Sequence, residues 1–236
     1  MAGDAAERSK RNLHGRRRGH RLRPHQRDLL AGHLSDLEIR LPAASDKFVD
    51  CSALFAVGTG EIWLEIGFGA GEHLAAQAAA HPECGFIGCE PYLNGVARFI
   101  SDWHNRELAN VRLFQDDARL LMAVLPPASI SRIFLLFPDP WPKRRHQKRR
   151  IVGHDTLPEF ARILRDGGEL RFATDHSEFC RWALFHILGN GAFAWRAREA
   201  ADWRVRPEDW PATRYEQKAL SQGRRPTYLS FTRHHR

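Results

Sequence analysis

The sequence predicts an α/β fold built on a doubly wound, mostly parallel sheet of seven strands. From residue 61 onward, short apolar runs of strand length alternate with longer segments of helical periodicity. Strands that alternate with helices favour a parallel sheet with helices on both faces. The length of 236 residues suits one such domain. We therefore expect a single domain over residues 25–236, preceded by a basic, flexible arm over residues 1–24.

The first half of the predicted sheet contains three strands. The elements are strands at 61–66, 86–90 and 111–114 and helices at 73–80, 92–107 and 120–124. Glycines separate the first strand from an alanine-rich helix. In the second helix Val96, Phe99, Ile100 and Trp103 share one face, which is the spacing of an amphipathic helix.

The second half supplies four more strands. The elements are strands at 132–137, 170–174, 193–198 and 227–232 and helices at 155–165 and 177–188. Asp155 is expected to cap the first of these helices, which should stop at Gly167 and Gly168. The second should stop at the Gly-Asn-Gly sequence of residues 189–191.

The composition favours an acidic partner. The formal net charge is +8 and the isoelectric point about 9.8, so nucleic acid or an anionic membrane surface would be attracted. No apolar stretch reaches the roughly 18 residues of a membrane span, and the N-terminus lacks the apolar core of a secretory signal. We expect a soluble, cytoplasmic protein with no membrane partner. No extended apolar helix face stands out, so a monomer is expected.

The N-terminal arm is rich in arginine and nearly free of apolar residues. Such a segment cannot bury enough surface to offset the entropy of ordering it. It is either a loose tail or an arm that orders on RNA.

Cysteine and histidine show no metal-binding pattern. Cys51, Cys84, Cys89 and Cys180 contain no C-x-x-C pair, and the 13 histidines are scattered. We expect reduced, structural thiols and no metal site.

A glycine-rich loop follows the first strand. Glu65 leads into Gly67, Gly69 and Gly71, which allow tight turns and close approach of the backbone to a ligand. Dinucleotide sites also combine glycines with a later acid. The G-x-G-x-G spacing and the leading carboxylate favour S-adenosylmethionine, because a carboxylate there would repel a pyrophosphate but attract the ammonium or sulfonium group.

Acidic residues end the next two strands. Glu90 is placed to accept hydrogen bonds from both ribose hydroxyls of the cofactor. Asp117 follows the third strand, where it would meet the adenine, although the adjacent Asp116 is an alternative.

The segment after the fourth strand combines an acid, an indole and many cations. Asp139 lies between two prolines and is followed by Trp141, at the edge where open α/β sheets bind ligands. Trp141 is expected either to stack on a base or to pack within the loop. The cations expected to contact RNA phosphates are Lys143, Arg144, Arg145, Lys148, Arg149 and Arg150. A carboxylate for a base edge beside such a surface predicts a base-modifying site.

Together these motifs resemble the bacterial tRNA (guanine-N7)-methyltransferases, which are Rossmann-like class I enzymes using S-adenosylmethionine. The resemblance covers about residues 15–232. It rests on E-I-G-F-G-x-G from Glu65, the strand-end Glu90, the pair Asp117-Ala118, F-P-D-P-W-x-K-x-R-H-x-K-R-R from Phe137, Thr174-Asp175, and T-x-Y-E from Thr213.

The resemblance implies methylation of N7 in the variable-loop guanosine at position 46 of tRNA. It implies cofactor contacts at Glu65, Glu90 and Asp117 and a catalytic role for Asp139. The substrate contacts that it implies are Lys143, Asp175, Thr213, Arg214, Tyr215 and Glu216. For Asp175, capping of the following helix is an alternative, and Tyr215 would serve equally as a core residue.

Three other functions fit parts of the sequence. A methyltransferase acting on another RNA base atom shares the cofactor site. A nucleotide-dependent oxidoreductase shares the glycines but not the acid-led loop. A noncatalytic RNA-binding protein explains the cations and leaves Glu65, Glu90 and Asp117 unexplained.

Overall fold

The structure is a computed structural model that describes residues 15–43, 47–55 and 59–236. Most of the predicted arm, residues 1–14, lies outside the described residues.

Seven strands form one mixed sheet, which confirms the predicted fold class. The strands are β1 (Glu61–Ile66), β2 (Cys84–Cys89), β3 (Val111–Phe114), β4 (Ile130–Leu136), β5 (Leu164–Thr174), β6 (Phe193–Trp195) and β7 (Thr227–Arg233). Their order is β3-β2-β1-β4-β5-β7-β6. The first five strands pair in parallel, and β7 pairs antiparallel with both β5 and β6. The carboxyl ends of β1 to β5 therefore lie along one edge, which we call the ligand edge.

Helices connect and cover the strands. They are α1 (Pro24–Leu37), α2 (Glu72–Ala80), α3 (Leu93–Arg106), α4 (Ala118–Met122), α5 (Leu157–Ile163), α6 (Ser177–Gly189), α7 (Ala201–Arg204) and α8 (Arg214–Ser221). Two 3₁₀ helices span Cys51–Leu54 and Arg144–Arg149. None of the described helices combines the length and apolar character needed to span a bilayer.

The hydrophobic core lies on both faces of the sheet, because successive strand side chains point to opposite faces. Leu64 belongs to the cluster on one face, and its neighbour Trp63 belongs to the cluster on the other. Burial on both sides explains why these parallel strands are nearly continuous apolar runs.

The helix before β5 differs from its prediction at both ends. Asp155 does not cap it, because the Asp155 side chain is 98% exposed. Thr156 is the N-cap residue, and its hydroxyl accepts a hydrogen bond from the Gly153 amide at 3.2 Å. The helix ends at Ile163 rather than Arg165, since β5 already begins at Leu164.

Candidate active site

The three predicted loop glycines all have left-handed backbones. The φ angles are +76° at Gly67, +61° at Gly69 and +81° at Gly71, a region that residues with a Cβ rarely adopt. Space is also limited, because a Cβ on Gly69 would lie 3.0 Å from the Tyr215 ring. A Cβ on Gly67 would meet no atom within 4 Å. The loop therefore presents open backbone to a ligand on one side.

Glu65 forms a buried pair with His73, a residue that the sequence analysis did not single out. The Glu65 carboxylate lies 2.7 Å from His73 Nδ1, and the side chains are 5% and 1% exposed. His73 Nε2 lies 3.4 Å from Gln77 Nε2, and Gln77 donates to the carbonyl of Asp209 at 2.6 Å. The orientation of Glu65 is thus fixed from α2.

Glu90 joins the glycine loop to the start of α3. Its Oε2 accepts from the Gly69 amide at 2.7 Å, and its Oε1 accepts from the Tyr92 amide at 2.9 Å. Burial raises the pKa of Glu90, the two amides oppose that shift, and the nearby charges of Asp139 and Glu65 add to it. Each carboxylate oxygen has a second lone pair, so Glu90 can still accept hydrogen bonds from a ligand.

The two aspartates after β3 have different partners. Asp117 is 5% exposed, caps α4 through the Arg119 amide at 3.0 Å, and pairs with the Arg119 guanidinium at 3.1 Å. Asp116 is more exposed and pairs with Arg17 of the N-terminal segment at 2.8 Å. The Asp117 carboxylate is therefore held by Arg119, and the Asp117 backbone lies just after β3, at the ligand edge.

The N-terminal segment lies against α3 beside this edge. The Arg17 carbonyl accepts from the Leu93 amide at 2.9 Å. The Asn94 side chain accepts from the Gly19 amide and donates to the His20 carbonyl, both at 2.7 Å. Residues 17–20 are thus held by the first turn of α3.

Asp139 stands in a turn with an unusual backbone. Phe137 and Trp141, on either side of it, have φ angles of +52° and +41°, which cost about 1–3 kcal/mol each for residues other than glycine. Asp139 is exposed and makes no hydrogen bond or ion pair within the described part of the chain. Its pKa is raised because protein atoms around the cleft displace part of its solvent. The carboxylate is therefore available to a substrate.

The cations after Asp139 are either exposed to solvent or packed against other side chains. Lys143, Arg144, Arg145 and Lys148 are exposed. Arg149 lies over Trp141, with 5.0 Å between its guanidinium carbon and the ring centroid. That contact favours packing of Trp141 within the loop. Arg150 departs from the predicted set of RNA contacts, because its side chain is 0% exposed and pairs with Glu178.

The predicted substrate residues at the start of α8 have mixed environments. Thr213 is the N-cap, accepting from the Glu216 amide at 3.2 Å. Arg214 pairs with Glu72 at 2.6 Å. Tyr215 is 45% exposed, whereas Glu216 is 5% exposed and accepts from the Tyr228 hydroxyl at 2.5 Å. Of these four residues, Arg214 and Tyr215 are therefore accessible to a ligand, whereas Thr213 and Glu216 are buried.

Asp175 follows β5 at the same edge and pairs with Arg224 at 2.6 Å. The helix-capping alternative does not apply, because the N-cap of α6 is His176, whose Nδ1 accepts from the Phe179 amide at 3.3 Å.

The residues around the glycine loop suit a cationic cofactor. Burial raises the pKa of Tyr215, the neighbouring Arg214 opposes that shift, and the charges of Glu90, Glu72 and Asp139 add to it. Glu65 lies near the end of β1, Glu90 follows β2 and Asp139 follows β4, and these neighbouring strands all end at the ligand edge beside the glycine loop. A sulfonium or ammonium group would relieve the mutual repulsion of these carboxylates. Within the described residues, no cluster of His, Cys, Asp or Glu is arranged to hold a metal ion.

Sequence comparison identifies the family. A family model described as "putative methyltransferase" matches residues 59–229. A tRNA (guanine-N(7)-)-methyltransferase of Rhodopseudomonas palustris (strain BisB18) is 49% identical over 223 residues, covering 94% of this chain and 88% of the relative. The chain belongs to the tRNA (guanine-N7)-methyltransferase family. A family member from Mesorhizobium japonicum is 47% identical and covers 98% of both chains.

Membership in this family confirms the predicted methyltransferase class and, with it, S-adenosylmethionine as the cofactor. Among solved structures, the 16S rRNA methyltransferase KamB superposes with a TM-score of 0.59 at 14% identity, covering 80% of this chain and 96% of KamB. That likeness supports the Rossmann-like fold.

Proposed function

We propose that this protein transfers a methyl group from S-adenosylmethionine to N7 of the variable-loop guanosine at position 46 of tRNA. The observation that carries the proposal is that Glu90 follows β2 and Asp139 follows β4, the two strands that flank β1 in the sheet. The carboxylate proposed to bind the base would therefore lie at the same edge of the sheet as the carboxylate proposed to bind the cofactor. The names of the close relatives support the same reaction.

S-adenosylmethionine supplies an electrophilic methyl group. The residues proposed to hold it are Glu65, Gly67, Gly69, Gly71, Glu90 and Asp117. Glu90 would accept hydrogen bonds from the ribose hydroxyls with its remaining lone pairs. His73 would keep Glu65 oriented toward the cationic end of the cofactor. The Asp117 carboxylate is held by Arg119, so we propose that its backbone faces the adenine.

Asp139 is proposed to bind and polarise the guanine. N7 has an exposed lone pair, so the reaction needs no general base. The base gains positive charge as the methyl group arrives, and a carboxylate on its N1–H and amino edge would stabilise that charge. The remaining task is orientation for in-line attack, which supplies on the order of 7–11 kcal/mol in well-aligned systems.

The exposed cations Lys143, Arg144, Arg145 and Lys148 are proposed to bind the tRNA backbone, with Arg149 beside them. Arg214 and Tyr215 at the start of α8, and Asp175, which follows β5, are proposed substrate contacts. Thr213 and Glu216 would support them through the structure of α8. N7 faces the deep groove of A-form RNA, so the target guanosine must be unstacked or in a loop.

The proposal is tested with unmodified tRNA transcripts and labelled S-adenosylmethionine, followed by mass spectrometry of the product nucleosides. 7-Methylguanosine is the expected product. Methylation of another base atom would support the alternative RNA methyltransferase. Tight tRNA binding without methylation would support the noncatalytic alternative.

Three expectations stay proposals. The basic arm of residues 1–24 is proposed to be either a loose tail or a segment that orders on RNA, and its residues 17–20 lie against α3. A monomer is proposed, which light scattering would measure. The cytoplasm, where tRNA is found, is the proposed location.

A further inference from the structure

Arg150 is a buried cation at the end of an exposed basic segment. Its side chain is 0% exposed. A buried charge is tolerated when it is paired, and Glu178 provides the partner. The Glu178 oxygens lie 3.1 Å from Arg150 Nη1 and 2.5 Å from Nη2. Gln147 also donates to Glu178 at 3.1 Å, so the pair is fixed from two sides.

The other donors of Arg150 hold the turn that carries Asp139. Nε donates to the carbonyl of Pro140 at 2.8 Å, and Nη2 lies 3.4 Å from the carbonyl of Trp141. These are the two carbonyls that follow Asp139 in the chain. One guanidinium thus connects the Asp139 turn to Glu178 in the first turn of α6.

Aromatic rings of α6 enclose the guanidinium. Its central carbon lies 5.0 Å from the Phe179 ring centroid and 4.8 Å from that of Trp182. Arginine alone has a planar guanidinium fork that can donate to a carboxylate and two carbonyls while its faces stack on aromatic rings. A lysine ammonium is a compact point donor and cannot replace it in all of these contacts. The turn needs such support, because Phe137 and Trp141 have left-handed backbones.

We propose that Arg150 is a positioning residue that fixes Asp139 at the methyl-transfer site through the carbonyls of Pro140 and Trp141, with Glu178 as its anchor. This role replaces the RNA contact that the sequence predicts for Arg150. It rests on the proposed function of Asp139. Loss of the fork would let the turn relax and move the carboxylate away from the base.

The test compares Arg150→Lys with a matched control, Arg233→Lys. Arg233 is also a buried arginine, pairing with Asp166 at 3.0 Å and donating to the Ala161 carbonyl at 3.1 Å. It ends β7, at the sheet edge opposite the ligand edge. Glu178→Gln is the second variant, because Glu178 is partly exposed and its replacement keeps the volume. If Arg150→Lys fails to fold, Glu178→Gln is used to test the proposal instead.

Three quantities are measured for each variant. They are the single-turnover rate at saturating cofactor and tRNA, the salt dependence of tRNA binding, and hydrogen exchange at the Phe137 amide, which donates to the Ala173 carbonyl at 2.8 Å. Arg150→Lys should lower the rate about 10- to 100-fold and speed exchange in the turn, and the neutral variant Arg150→Gln should leave the salt slope unchanged. Glu178→Gln should act in the same direction but less strongly. Arg233→Lys should lower only the melting temperature.

The proposal is overturned if the rate and exchange of Arg150→Lys both match those of Arg233→Lys. It is also overturned if Arg150→Gln, which removes the charge, lowers the salt slope by about 0.9, the value for one lost phosphate contact. If hydrogen exchange is faster in Arg150→Lys but the wild-type protein transfers no methyl group, Arg150 fixes the turn as proposed and the proposed function is wrong.

Discussion

Glu90→Gln tests the connection between the glycine loop and the cofactor. The substitution keeps the side-chain volume and removes a charge that accepts from the Gly69 amide at 2.7 Å and the Tyr92 amide at 2.9 Å. Glutamine has one acceptor oxygen, so one of these amides would face an NH₂ group. Hydrogen bonds to a charged group contribute about 1.5–3 kcal/mol. Losing that contribution toward the ribose corresponds to about 10- to 150-fold weaker binding of S-adenosylmethionine.

Isothermal titration calorimetry with S-adenosylmethionine measures this loss. Glu83→Gln is the matched control, because Glu83 lies just before the opposite end of β2 and its side chain is 65% exposed. Burial raises the pKa of Glu90 above its ordinary value of 4.5. Wild-type affinity should therefore weaken as the pH falls toward that raised pKa, and the affinity of Glu90→Gln should not. Affinity within two-fold of wild type, or equal losses in both variants, would refute the reasoning.

Three further predictions concern the neighbouring parts of the site. Gly95→Ala should weaken cofactor binding by at least about 10-fold, because its Cβ would lie 2.2 Å from the Gly69 carbonyl oxygen. Its calorimetric control, Gly32→Ala in α1, meets no atom within 4 Å and should stabilise the protein by up to about 1 kcal/mol. Asp139→Asn should lower the single-turnover rate about 100-fold, with cofactor affinity retained. Because the pKa of Asp139 is raised above the ordinary aspartate value of 3.8, the wild-type rate should already decline with falling pH above that value. A wild-type pH profile as flat as that of Asp139→Asn would contradict an ionised role for Asp139. Removing both Arg144 and Arg145 should lower the slope of log affinity against log salt by roughly 1.4–1.8, and an unchanged slope would exclude them from the RNA interface.

Local signals were sufficient for the sheet and for the position of the site. Strands such as 61–66 and 111–114 are apolar runs bounded by turn residues, and they match β1 and β3 of the structure. Parallel strands bring their carboxyl ends to one edge, so Glu65, Glu90 and Asp139 could be placed together before any contact was known. Helix α1 also has a sequence signal, because Pro24 stands at its first position and Leu30 and Leu34 follow at helical spacing.

Contacts between distant residues could not be predicted in the same way. Charge and hydropathy make Arg150 look like the four exposed cations before it. Its burial depends on Glu178, a residue 28 positions away that only the packing of α6 brings near. The Glu65–His73 pair depends on the angle between β1 and α2. The helix α7 could not be predicted from apolar periodicity, because it has only the four residues Ala-Asp-Trp-Arg.

The most direct test of the proposed reaction changes one atom of the substrate. Two tRNA transcripts are compared, one with guanosine and one with 7-deazaguanosine at position 46, in which a C–H group replaces N7. We predict methyl transfer to the first, none to the second, and equal binding of both. Equal methylation of the two transcripts would show that another atom accepts the methyl group and would contradict the proposed reaction.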